Sequence, residues 1–228
     1  MSGDAREAWV YESLVGALPG VAVGSRRALF LQFGGFEAAV LACWWYYALP
    51  DRALLAGTVV VAVASVGSAA MTSIADAARS PGVPRRYRSL LLGTRVELLL
   101  ALLAFVALVT YLFVADPRAP PALLAELLGP EPPVVVVYLA LVLCWDVCYR
   151  IGAAWWASVT GCWRSLALGP GSAAASLRRA DGATLAFGGV QLALVPFVTD
   201  HPLLAGALLG HVAAVAVLSG TALLALDT

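Results

Sequence analysis

The chain has 228 residues, of which 61% are hydrophobic and 12% charged, with a mean hydropathy of +0.88. A water-soluble domain carries about a quarter charged residues to cover its surface, so these proportions exclude an ordinary soluble fold. A formal net charge of +0, with basic residues that are all arginine, gives no nucleic-acid face and no overall field to steer a charged partner.

The first 27 residues contain no continuous apolar core followed by a cleavage site, so no removable signal peptide is expected. Residues 4–18 predict an amphipathic helix on the cytoplasmic surface. Asp4 is placed to cap it, Glu7 follows three residues later, and Pro19-Gly20 stops it. Its apolar side, with Trp9, Val10, Leu14, Ala17 and Leu18, suits an interfacial anchor or a docking helix for a partner. Residues 1–27 form this helix and its linker, and 28–228 the transmembrane domain.

A spanning helix needs about 20 apolar residues to cross about 30 Å of hydrocarbon. Six stretches meet that length: 28–49, 53–75, 90–115, 134–157, 183–199 and 203–226. The expected fold is thus all-α, a polytopic six-span transmembrane helix bundle. Pro50-Asp51-Arg52 and Asp200-His201-Pro202 make tight turns, so the first two and last two spans form antiparallel hairpins. Between the third and fourth spans, residues 116–133 are Pro-rich at both ends around a short apolar Ala-Leu-Leu-Ala-Glu-Leu-Leu. This segment is expected to dip into the outer interface or cap an external cavity. Residues 169–182 read as a small, polar, basic inner loop in which Arg178 and Arg179 face anionic headgroups.

Arginines retained on the cytoplasmic side set the orientation. One set of connections holds ten: Arg6, Arg26, Arg27, Arg79, Arg85, Arg86, Arg88, Arg164, Arg178 and Arg179. The other holds two, Arg52 and Arg118. Both termini are therefore expected in the cytoplasm of a prokaryotic cell, with the protein in the cell membrane. The aromatic clusters Trp44 to Tyr47 and Trp155, Trp156 and Trp163 mark opposite headgroup levels.

An acid at the middle of a span costs about 2.5–3.5 kcal/mol on insertion scales, so each buried charge needs compensation. Glu37, Glu97 and Asp146 are such acids. Asp146 has Arg150 four residues later on the same helical face. Arg95 and Glu97, two residues apart, point about 200° apart and cannot satisfy one another. Counted at about 1.5 Å per residue from the cytoplasmic ends, Glu37, Glu97, Arg150 and Gln191 share a depth of roughly 10–14 Å. The candidate polar pathway or pocket is therefore Glu37, Glu97, Asp146, Arg150, Gln191 and His211, with an internal register-fixing network as the alternative. Glu37 is expected to share Arg150 or a polar pocket with Glu97. Gly206 and Gly210 form a GxxxG that permits close helix approach.

No HExxH, GxSxG or Walker loop is present, and the two histidines have no recognised metal spacing. No cofactor or metal is expected. The four cysteines lack CxxC spacing and read as packing residues. The expected function is a small transporter, channel or membrane-complex subunit using the buried charged layer. A non-catalytic scaffold or assembly protein is the alternative, and an intramembrane enzyme a second. The expected partners are the lipid bilayer and either another membrane protein or further copies of the chain.

The stretch Glu-Ala-Trp-Val-Tyr-Glu-Ser-Leu-Val-Gly-Ala-Leu-Pro-Gly at 7–20, followed by the spans, resembles uncharacterised multi-span proteins of haloarchaea. The resemblance implies a membrane protein of that layout and assigns no residue a role.

Overall fold

In a computed structural model of the chain, residues 25–118, 121–168 and 173–226 are described, with side chains from residue 30 onward. The expected interfacial helix at 4–18 lies outside them. The described residues form helices and turns without a strand. Five helical segments are long and apolar enough to cross a membrane, namely Asp51–Ala78, Arg85–Arg118, Val134–Ala167, Ala174–Phe197 and Pro202–Leu224.

Helix α1 (Ser25–Tyr46) packs on α2 (Asp51–Ala78) after a turn in which Leu49 N–H donates to the Trp44 carbonyl. A short helix, α3 (Arg85–Gly93), follows Pro84, which supplies the fixed φ of a helix entry. α3 buries Tyr87, Leu91 and Leu92 and exposes Arg85, Arg86 and Ser89. The chain then bends at Thr94 and Arg95, where Arg95 takes a left-handed φ of 60°, and restarts as α4 (Val96–Thr110). The span expected at 90–115 is thus not one straight helix. It also ends in a π turn, Tyr111–Ala115, and a 3-10 turn, Asp116–Arg118.

After the short α5 (Leu123–Leu128) comes α6 (Val134–Ala167), the central helix, which touches α1, α2, α3, α4, α7 and α8. Its 34 residues make it about 51 Å long at 1.5 Å per residue. It therefore runs ten residues beyond the expected end at Ala157, because Ala, Ser and Thr continue a helix that the apolar run alone does not delimit. Within it Ser158, Thr160 and Ser165 return their hydroxyls to carbonyls one turn earlier, so they need no outside acceptor.

The inner loop expected at 169–182 is mostly helix. α7 begins at Ala174 and runs to Val190, tightening into a 3-10 segment, Gln191–Phe197, that contains Pro196. Alanine and arginine are strong helix formers, and polarity at Arg178, Arg179 and Asp181 marks one end of this helix rather than a break. α8 (Pro202–Leu224) starts with Pro202 in the first turn, where a missing N–H costs nothing.

Glycines on α2 and α6 set the closest helix contacts. A Cβ at Gly152 of α6 would lie 2.8 Å from the Ala101 amide nitrogen and 3.0 Å from the Glu97 carbonyl oxygen, so α4 rests on bare backbone there. At Gly67 of α2 it would lie 2.5 Å from Arg150 Cδ and 2.8 Å from the Phe187 ring. The hydrophobic core gathers Ile74, Ala75, Ala78, Tyr87, Leu91, Leu92, Ala153 and Leu177 where α2, α3, α6 and α7 meet.

Candidate functional site

The apolar faces of these helices pack against each other, which leaves several polar side chains to find partners inside the bundle. The main polar chain joins α1, α2 and α6. Ser68 Oγ donates to Gln32 Oε1 at 3.1 Å, and Gln32 Nε2 donates to Asp146 Oδ2 at 3.0 Å. Arg150 Nη2 donates to Asp146 Oδ1 at 2.7 Å, with the Arg150 side chain wholly buried. The Arg150 side chain passes Gly67 at its Cδ, through the space that glycine leaves open, and its Nη1 reaches Met71 Sδ at 4.0 Å. The Asp146 carboxylate thus ties α1 to α6 directly, and α2 through Gln32.

The six residues expected to form a pathway are placed as follows. Asp146 and Arg150 form the pair that their four-residue spacing allows. Glu37 lies on α1 and accepts from Thr58 Oγ1 of α2 at 2.7 Å. Glu97 is fully buried in the first turn of α4, beside the Gly152 contact with α6. Gln191 is fully buried at the start of the 3-10 segment, and neither its Oε1 nor its Nε2 has a hydrogen-bond partner. His211 on α8 faces α6, its ring 5.7 Å from that of Trp155.

A cleft of about 400 Å³ opens between α4 and α8 with α6 as its floor. Leu100, Ala104, Gly152, Trp155, Gly210 and His211 are among its lining residues. A second cleft, of about 340 Å³, lies between α3 and α6 and is lined by Arg86, Ser89, Leu90, Thr94 and Trp163. Neither is lined by Glu37, Glu97, Asp146, Arg150 or Gln191.

Two further clusters were not anticipated from the sequence. At the arginine-rich end, Arg164 Nη2 donates to Asp181 Oδ2 at 2.7 Å, joining α6 to α7 with both side chains buried. A Cβ at Gly161 would lie 2.7 Å from Asp181 Oδ1, so that glycine gives the carboxylate its room. The Arg164 guanidinium also lies 5.5 Å from the Tyr87 ring centroid. At the opposite end, His201 Nδ1 lies 2.9 Å from Asp116 Oδ1, and its Nε2 3.7 Å from Glu126 Oε2, which Arg52 approaches at 3.4 Å. Asp116 Oδ2 accepts from the Leu123 amide at 2.6 Å, which holds the start of α5 against the bundle.

These arrangements bind helices together. Among the described residues no group of three or more His, Cys, Asp or Glu converges as metal ligands, and Cys43, Cys144, Cys148 and Cys162 are free thiols. The model of a family of unknown function (DUF7530) matches residues 4–222. No curated protein and no solved structure matches the chain.

Proposed function

We propose, for a chain that belongs to the DUF7530 family of unknown function, that it is a non-catalytic scaffold or complex subunit of the cell membrane whose buried charges fix helix register. The observation that carries this reading is pairing. Asp146 is engaged by Arg150 and Gln32, Arg164 by Asp181, and Glu37 by Thr58, while the two clefts open elsewhere. A conduit would bring these groups to water, and a lock would bring them to each other. Three observations favour transport instead: the Gln191 amide and Glu37 Oε2 are buried without a hydrogen-bond partner, and His211 lines the cleft between α4 and α8.

Reconstituted vesicles decide between the two. Wild-type protein is expected to dissipate an imposed pH gradient no faster than empty vesicles, and Glu37→Gln to change thermal stability by less than about 1 kcal/mol, the worth of one neutral hydrogen bond. A protein-dependent flux that Glu37→Gln abolishes would overturn the scaffold reading.

In this reading α1, with 22 residues, is a sixth span, both termini are cytoplasmic and lipid surrounds the bundle. Exposed Phe30, Leu31, Trp45 and Tyr46 on α1 support its place among lipid chains. The ends of α3 and α7 carry exposed arginines, and Arg118 is exposed at the opposite end. In a background lacking the four native cysteines, cysteine at position 85 or 178 should resist an impermeant thiol reagent on intact cells, while cysteine at position 118 should react. The reverse pattern would invert the topology.

A further inference from the structure

We infer that the cleft between α3 and α6 is a binding site for the headgroup phosphate of an anionic phospholipid. This inference rests on the membrane reading above and goes beyond it by assigning a ligand. The sequence places three arginines in the first turn of α3, and the fold separates them from its buried side. Tyr87, Leu91 and Leu92 face the core, while Arg86 and Ser89 face outward into the cleft. Opposite them stands Trp163 of α6, whose ring lies 5.4 Å from Arg86 Cζ.

That stacking fixes the position of a positive charge while using none of the guanidinium's N–H donors, which stay available to an oxyanion. The Ser89 and Thr94 hydroxyls in the lining donate to the Arg86 and Leu90 carbonyls, which leaves Arg86 as the donor to the phosphate, and Leu90 and the tryptophan ring supply the apolar part that a glycerol backbone needs. A space of about 340 Å³ is on the scale of a small-molecule site. Its level is the arginine-rich end, where tryptophan and arginine meet headgroups and where basic pockets between spans take anionic lipids. α3 runs antiparallel beside the end of α6, Arg86 against Trp163 and the Leu90 carbonyl accepting from Trp156 Nε1, so in this reading the cleft opens at the arginine-rich end, at phosphate depth.

The test uses full-length protein purified in a neutral detergent. Its thermal unfolding is followed during titration with short-chain phosphatidylglycerol, phosphatidylcholine or inorganic phosphate. Phosphatidylglycerol should raise the midpoint saturably, with the other two giving no saturable shift. Arg86→Gln should raise the half-saturating phosphatidylglycerol concentration about tenfold, the usual worth of one charged hydrogen bond. Ser89→Asp, on an exposed position that folding does not require, should do the same by placing a negative charge in the cleft. Arg178→Gln, away from the cleft, should leave the titration unchanged. Equal titrations for wild type, Arg86→Gln and Ser89→Asp would overturn the site. An equal response of the wild type to inorganic phosphate would overturn the lipid in favour of a free anion. A chain that remains monodisperse in water without detergent would instead remove the membrane reading itself.

Discussion

Asp181→Ala should destabilise the protein by about 3–5 kcal/mol, the usual cost of leaving one member of a buried ion pair uncompensated. The cost is large because Arg164 is fully buried and its Nε and Nη1 have no hydrogen-bond partner, so the Asp181 carboxylate supplies its one short charged contact. Arg164 cannot be neutralised by losing its proton. The companion double variant separates pairing from packing. Arg164→Met with Asp181→Leu keeps nearly the same shapes without charge, and should recover most of the loss, since apolar replacement of a buried pair is often neutral or better. Denaturant or thermal titration in micelles reads both. An Asp181→Ala variant within about 0.5 kcal/mol of wild type, the ordinary range of a surface change, would mean that Arg164 reaches solvent and that the α6 to α7 lock is not one.

Gly152→Ala should cost at least about 1–3 kcal/mol, the range for forcing an extra carbon into a well-packed interior. Here the obstruction is the backbone of α4 at Ala101 and Glu97 rather than a side chain that rotates aside. The helices must part by several tenths of an ångström along their contact, which loosens the buried first turn that carries Glu97. Gly35→Ala is the matched control, because nothing lies within 4 Å of its added carbon. Within a helix that change should stabilise by about 0.5–1 kcal/mol through lower backbone entropy of the unfolded chain. Opposite signs for the two variants in the same assay are the expected outcome. A neutral Gly152→Ala would show that α4 and α6 are not in backbone contact.

Long apolar blocks made the helical class and the five helices long and apolar enough to cross a membrane legible, because spanning a bilayer requires a length that composition alone reveals. Helix ends were less legible. The apolar run of α6 stops near Ala157 while the helix continues to Ala167, and α7 starts nine residues before the expected 183. Both extensions are rich in small and polar residues that keep a helix going without raising its hydropathy, so hydropathy loses its hold on helix length. The bend at Arg95 had no signal at all, since a non-glycine residue takes the left-handed conformation there.

The Asp146 to Arg150 pair was readable because it lies within one turn of one helix. The Arg164 to Asp181 pair was not, because it spans two helices and both residues read as loop. Gln32 was passed over as an uncharged residue in an apolar block, although its amide joins Ser68 to Asp146 across three helices.

Gly67 and Gly161 are each the vacant half of a fitted pair. The first leaves the path for Arg150 and the second the seat for Asp181. Such sites tie the evolutionary freedom of one position to that of another. A lineage that keeps arginine at 150 holds position 67 at glycine, and one that keeps aspartate at 181 holds 161. Release has to begin with the partner: once 181 shortens, 161 can grow to fill the gap, while 67 needs both Arg150 and the Phe187 ring to give way, and the reverse order passes through a bundle that does not close. Substitutions in this chain are thus expected to have a direction in time as well as a location.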